Sequence, residues 1–202
     1  MVRDSAGNIY ATDEDAAKCK GCGVAFKLDA AGTYTLLHSF GGGTDGYMPM
    51  ANLVRDSAGN LYGTTEYGGI TGGICGTLGC GVVFKVDSAG SETVLYKFTG
   101  GRDGGKLTCN LIRDSAGNLY GTTYAGGNTA GECATISGIT IPGCGTVFKL
   151  DTAGALTVLH TFTAAEGANS VAGLVRDSEG NFYGTTLQGG ASNKGVVFKL
   201  AP

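Results

Sequence analysis

The chain has 202 residues, 42% of them apolar and 15% charged, with 38 glycines, three prolines and no tryptophan. That apolar share can fill a continuous core, which excludes a disordered chain, and glycine without a Gly-X-Y period excludes collagen and points to many tight turns between short strands. A formal net charge of −3 with no cluster of Lys and Arg gives no footprint for nucleic acid, and no apolar run reaches the ~20 residues that span a bilayer.

The segment Arg3-Asp4-Ser5-Ala6-Gly7-Asn8-Ile9-Tyr10 returns from Arg55, Arg113 and Arg176, each time followed downstream by Gly-x-Val/Ala-Phe-Lys. Such a period marks an array of one supersecondary unit. Residues 1–202 therefore read as a single array with repeats at approximately 1–40, 51–98, 109–162 and 172–202. A residue present in every copy is read as folding the unit, whereas one that differs between copies is free to serve a site.

In chain order, repeat one enters at the tail of a strand A, turns at residues 4–8 into strand B and ends on strands C and D around Phe26 and Phe40. Repeat two is the clearest copy: strand A over 51–55, strand B over 61–65, strand C over 82–86 and strand D over 93–98. Repeat three follows the same order, and repeat four stops after residues 196–200 with no strand D. The A-B link Asp-Ser-x-Gly-Asn and the C-D link Asp-x-Ala-Gly (29–32, 87–90, 151–154) are hairpin turns, in which Asp caps, Gly takes positive φ and Asn tolerates it. A functional acidic site is the rival reading of these aspartates.

The spacings divide the unit into constant and variable parts. Arg to the end of strand B is ten positions in every copy (3 to 13, 55 to 65, 113 to 123, 176 to 186), and Phe26 to Phe40, Phe84 to Phe98 and Phe148 to Phe162 are 14 each. The B-C loop instead has 9 residues (14–22), 15 (66–80), 21 (124–144) and 8 (187–194). In a four-stranded meander the B-C loops and D-A connections share one end, so all length variation falls on one face. That pattern predicts an all-β fold: a β-propeller of four repeats, each of about four antiparallel strands, with the last blade incomplete. A β-solenoid and a fibre-forming strand-exchange assembly are the alternatives. Met1-Val2 leads directly into Arg3-Asp4, so either a signal was processed away or the array is a piece of a longer chain, and the entry at the tail of a strand A with no fourth strand D favours the second.

Six of the seven cysteines fall in the B-C loops as local pairs: Cys19 with Cys22, Cys75 with Cys80, Cys133 with Cys144. The intervening residues drift from two to four to ten, which suits loop staples and not a tetrahedral metal site; zinc ligation and free thiols are the alternatives. Disulfides imply an oxidising compartment. Cys109 stands alone as a candidate intermolecular thiol.

Asp45, Asp103 and Glu166 recur before Gly in the D-A connections. They read as turn formers or, more sharply, as a ring of carboxylates on the variable face that would take Ca²⁺ or a polar ligand. Tyr67 and Tyr124 lie at the start of the two longest loops and are candidates for stacking on a sugar ring. His38 and His160 are replaced by Tyr96 in repeat two, which favours packing or hydrogen bonding over catalysis. Gly41-Gly-Gly-Thr-Asp-Gly46 has no helix N-terminus to hold a phosphate.

Gly-Asn-Leu-Tyr-Gly-Thr-Thr (59–65, 117–123, with Phe182 in repeat four), Gly-Thr-Val-Phe-Lys-Leu (145–150) and Asp45-Gly46-x-x-Pro49 resemble the GloVer-type tandem repeats of bacterial secreted or surface-anchored proteins. Ala11-Thr12-Asp13 in repeat one departs from them. More distantly, Asp-x-x-Gly-Asn-x-Tyr is similar to NHL-like propeller repeats. The resemblance implies export, a propeller-like fold and surface attachment, and no catalytic activity. The expected function is a non-enzymatic, extracellular or cell-surface propeller whose stapled loops bind a ligand, possible glycans included, or other protein chains through self-assembly. A structural subunit of a fibre or surface layer, and a polysaccharide-binding or polysaccharide-acting protein, are the alternatives. No metal site and no cofactor are expected apart from the Ca²⁺ reading.

Overall fold

The computed structural model describes residues 1–15, 22–128 and 142–202. Three four-stranded antiparallel sheets follow one another: β1 (Val2–Arg3), β2 (Ile9–Asp13), β3 (Val24–Leu28) and β4 (Tyr34–Ser39); β5 (Val54–Arg55), β6 (Leu61–Thr65), β7 (Val82–Val86) and β8 (Glu92–Lys97); β9 (Ile112–Arg113), β10 (Leu119–Thr122), β11 (Thr146–Leu150) and β12 (Leu156–Thr161). A three-stranded sheet closes the series: β13 (Val175–Arg176), β14 (Phe182–Thr185) and β15 (Val197–Leu200). Each repeat is thus one meander, the blade of a β-propeller, and the last has three strands. Among the described residues there is no α-helix, and none long and apolar enough to cross a membrane.

The recurrent motif holds its own hairpin. Asp114 accepts from the backbone N–H of Asn118 at 2.9 Å, from the Asn118 side chain at 2.8 Å and from the Tyr120 hydroxyl at 2.9 Å. The same set recurs around Asp4, Asp56 and Asp177. These bonds favour the ionised form, and they hold Asp4 and Asp177 down at about 2. The aspartates are turn clamps.

The next layer of packing joins consecutive blades. Phe40 meets Phe84 edge-to-face at 4.9 Å, Phe98 meets Phe148 at 5.2 Å and Phe162 meets Phe198 at 5.0 Å. Each pair runs from the end of one strand D to the strand C of the following repeat, so the fixed 14-residue interval places one ring on each side of a blade. Gly63, Gly121 and Gly184 make room for these phenylalanines, because a Cβ there would lie 2.5–2.8 Å from the Phe ring tip. Thr12, Thr64 and Thr122 donate to carbonyls at Ala51, Cys109 and Ala172, just before the next strand A.

Strand A is shorter than expected, two residues instead of five in repeat two, because the backbone just before it bonds to neighbouring repeats: the Ala51 carbonyl accepts from Thr12 of the preceding blade, and the Asn52 N–H donates to the Asn110 side chain of the following one. Strand D carries an irregularity in three repeats: the register shifts between Ala25 and Phe26, Val83 and Phe84, Val147 and Phe148, leaving Leu37, Leu95 and Leu159 unpaired. A β-bulge re-aims the strand locally. Here it presents the carbonyl of Leu37 to Gly90, whose Cβ position lies 2.6 Å away, so that the C-D turn of the next blade seats on it.

Candidate functional site

The D-A connections and the B-C loops interlock on one face. Tyr47 bridges to Tyr67, Gly105 to Ala125 and Ala168 to Gln188, always from one repeat to the next. Each connection contains a non-glycine residue at positive φ: Met48 (58°), Lys106 (55°) and Asn169 (58°). Such a conformation costs about 1 kcal/mol or more and persists only where its surroundings impose it. The imposition is the same in all three. The residue's N–H donates to Cys22, Cys80 or Cys144 of its own repeat at 3.3, 2.8 and 3.0 Å, and its carbonyl accepts from the first loop residue of the next at 3.0–3.1 Å.

The backbone at these positions is therefore scaffold, while the side chains differ. Lys106 is 5% exposed. Its Nζ stands 4.8 Å over the Tyr67 ring, donates to the Tyr67 hydroxyl at 3.3 Å and lies 4.0 Å from Glu66. Burial lowers the Lys106 pKa against the pull of Glu66, and burial with the Glu66 carboxylate raises that of Tyr67. Tyr67 also stacks on Tyr47 at 5.3 Å. Tyr124 packs against the core cluster around Phe148, and its carbonyl accepts from Asn169 at 2.8 Å. Neither tyrosine is displayed for a sugar ring as the sequence suggested. Both are half-buried: Tyr67 lies between Tyr47 of the preceding connection and Lys106 of the connection after its own repeat, and Tyr124 packs on the core cluster.

Asp45, Asp103 and Glu166 do not converge into a carboxylate ring. Each turns back to the strand D of its own repeat: Asp45 contacts His38 at 3.3 Å, Asp103 accepts from Tyr96 at 3.1 Å, and Glu166 lies 3.7 Å from His160. Asp45 also accepts from the Gly41 N–H at 2.6 Å, Asp103 from the Thr99 N–H at 2.9 Å and from the Thr99 hydroxyl, and Glu166 from the Thr163 hydroxyl at 2.8 Å. The position read as packing or hydrogen bonding, His38, Tyr96 and His160, is the partner of the position read as a turn former. Burial, with the Asp103 charge, pushes Tyr96 up to about 12.

Among the described residues one group of three brings metal-ligand atoms together: His38, Asp45 and Glu92, all within 4.8 Å of one another. Sequence reasoning missed Glu92, which starts β8 and lies opposite Val86. Burial, with the nearby Asp45 charge, pushes it up to about 7 against Lys97.

Cys75 and Cys80 form a disulfide that closes part of the repeat-two loop. Cys22 and Cys144 are also disulfide-bonded, and Cys19 and Cys133 lie outside the described residues. Cys109 is not the surface thiol expected of it. It is fully buried, its Sγ donating to the Thr122 carbonyl at 2.9 Å and accepting from the Thr122 N–H at 3.1 Å. It occupies the place of Ala51 and Ala172 just before strand A, where the backbone carbonyl accepts from a threonine of the preceding blade. Burial raises its pKa, so it carries no reactive thiolate.

A cavity of about 340 Å³ opens beside Thr12, Asp13, Glu14, Phe26, Pro49 and Met50 on the loop face of repeats one and two, and the Glu14 Oε2 buried there has no hydrogen-bond partner among the described residues. It coincides with the departure of repeat one from the motif: Ala11 stands where the other copies have the glycine that admits the strand-C phenylalanine. Phe26 is only partly buried and stacks on Tyr34 at 5.2 Å. A second cavity, of about 390 Å³, lies between His160, Phe162 and Glu166 and strand β15.

The fold is shared with a solved structure of low identity. A protein assigned as a gluconolactonase superposes with a TM-score of 0.52 at 14% identity, over 99% of this chain and 62% of that one. This chain thus spans less than two thirds of its length, and at that identity the likeness shows the fold alone. A gluconolactonase from Xanthomonas campestris gives 0.44 at 12% identity (98% of this chain, 73% of that one), and a luciferin-regenerating enzyme gives 0.45 at 13% (92% and 60%). No curated protein matches the sequence. The family model described as the Gloeobacter/Verrucomicrobia repeat matches residues 1–202, and the chain belongs to that family.

Proposed function

We propose that this repeat array is a non-enzymatic, exported propeller whose loop-bearing face binds a ligand at the cell surface. The observation that carries the reading is the confinement of variation: hairpins on one face are held by the same Asp-Asn-Tyr bonds in all four repeats, while the B-C loops of 9, 15, 21 and 8 residues rise from the other. Insertions on one face of a rigid repeat array mark its binding face. Export is supported by the Cys75–Cys80 disulfide, which persists in oxidising compartments. The non-enzymatic part is supported by the local engagement of Asp45 and Asp103, each tied to its own loop.

The test is an array of glycans and polysaccharides probed with the purified protein, alongside assays for lactone and polysaccharide hydrolysis. Saturable binding that disappears when residues 66–80 are replaced by a short Gly-Ser turn, with the circular dichroism spectrum preserved, is the expected result. Turnover of any of these substrates would overturn the non-enzymatic reading.

A second reading, assembly through the last blade, rests on Val197 and Val175, 81% and 68% exposed on the three-stranded sheet beside the 390 Å³ cavity. Exposed apolar side chains gathered on one surface mark a protein–protein contact. Light scattering after size exclusion separates the two, because assembly predicts a mass that rises with concentration and falls on Val197→Lys.

A further inference from the structure

We propose that His38, Asp45 and Glu92 form a binding site for a divalent transition metal, Zn²⁺ being the best match, at the rim where the outer strands of repeats one and two meet. The three side chains come from three places: His38 from β4, Asp45 from the connection after it, and Glu92 from the start of β8 in the following repeat. Their ligand atoms lie within 4.8 Å of one another. The His38 Nε2 to Asp45 Oδ1 distance is 3.3 Å, close to the about 3.4 Å edge of a tetrahedron with about 2.1 Å bonds. Asp45 Oδ2 is held by the Gly41 N–H, which fixes the carboxylate and leaves Oδ1 facing the site.

The independent observation is Glu92. Its Oε1 has less than 1 Å² of accessible surface and no hydrogen-bond partner among the described residues. A buried carboxylate oxygen left unpaired beside a second carboxylate is costly unless a cation or a donor completes it. Lys97 is near enough to act on Glu92 electrostatically, yet it makes no bond to that oxygen. Imidazole with two carboxylates suits Zn²⁺ and its neighbours, whereas Ca²⁺ takes six to eight oxygens.

The repeats supply the control. At the next junction the corresponding residues are Tyr96, Asp103 and Leu156, and Leu156 packs into the apolar cluster with Tyr96. The pairing of strand D with its own connection is therefore general, and the third ligand is peculiar to the first junction. A metal here would tie two blades across their outer edge.

The experiment is calorimetric titration of the oxidised, chelator-treated protein with Zn²⁺ and with Ca²⁺. One Zn²⁺ per chain is expected, with Ca²⁺ at least tenfold weaker. Glu92→Leu, which copies the neighbouring junction, should weaken Zn²⁺ by tenfold or more. The Co²⁺ form should show visible d–d bands without thiolate charge-transfer absorption, which distinguishes this site from the cysteines. Should Glu92→Leu fail to fold, the double variant Tyr96→His, Leu156→Glu serves instead and should add a second equivalent. Absence of Zn²⁺ binding by the unaltered protein, or unchanged binding in folded Glu92→Leu, overturns the proposal.

Discussion

The guanidinium of Arg113 lies 5.6 Å over the ring of Tyr62, one repeat earlier in the chain. Arg55 stands in the same way 5.3 Å over Tyr10, and Arg176 5.5 Å over Tyr120. Meanwhile each of these tyrosines donates its hydroxyl to the aspartate of its own hairpin. The motif thus has two jobs: Asp, Asn and Tyr close the unit on itself, and Arg fastens it to the unit before.

Replacement of Arg113 by Ala should cost about 1 kcal/mol by loss of the cation–π contact, whereas Arg3→Ala, whose guanidinium stands over no ring among the described residues, should cost less. Urea unfolding of the two variants checks this. Equal midpoints would show that the arginine acts only within its own hairpin.

Acid should unfold the hairpin face first. Asp4 and Asp177 have folded pKa values of about 2 against an ordinary 3.8, so the folded state binds protons less readily. Their contribution is fully present above about pH 4 and is lost as the pH falls toward about 2. Asp177→Asn should lower stability at pH 7 and flatten the decline between pH 4 and 2. Stability measured by circular dichroism across that range decides it, and an unchanged slope would assign acid sensitivity elsewhere.

Reduction of Cys75–Cys80, or the double replacement by Ala, should cost about 2 kcal/mol for so short a closed loop, and hydrogen exchange should speed up in residues 66–80 with little change in β6 and β7. Acceleration spread over the whole blade would show that the staple supports the sheet.

Cys109 should resist alkylation in the native protein and react at the rate of an ordinary thiol in denaturant, because its sulfur has no accessible surface. Cys109→Ala, the residue at the same place in repeats two and four, should fold with a loss of about 1 kcal/mol from its contacts with Thr122. Mass spectrometry of labelled samples provides the measurement. A covalent dimer under oxidising conditions that Cys109→Ala abolishes would restore the thiol to the surface.

The elements were legible where their cause is local. Strands β6 and β7 span the residues expected of them, and β8 begins one residue earlier, because alternation and Asp-Gly turn chemistry act over a few residues. The pairing of Phe40 with Phe84 was not legible, although the 14-residue interval hinted at a constraint, because the partner ring belongs to the next repeat. Tyr67 and Tyr124 looked like loop residues free for stacking; the D-A connections on either side of their repeats lie against them. Cys109 looked unpaired and therefore available, and only the approach of β10 shows it to be shut in. Glu92 left no mark in the sequence: its counterparts are Tyr34 and Leu156, and Asp45 precedes it by 47 positions (92 − 45).

Within one unit the sequence alone determined the count of repeats, the hairpins, the order of strands and the face on which length varies, since period, turn residues and short-range hydrogen bonds all operate inside some 50 residues. What the tertiary structure decided is everything made between units: the Arg–Tyr fastening, the Phe pairs, the clamp of Lys106 on Tyr67 and the meeting of His38 and Asp45 with Glu92. Those depend on the angle at which one twisted blade seats on the next. That angle is set by many weak contacts at once, and no short stretch of the chain encodes it.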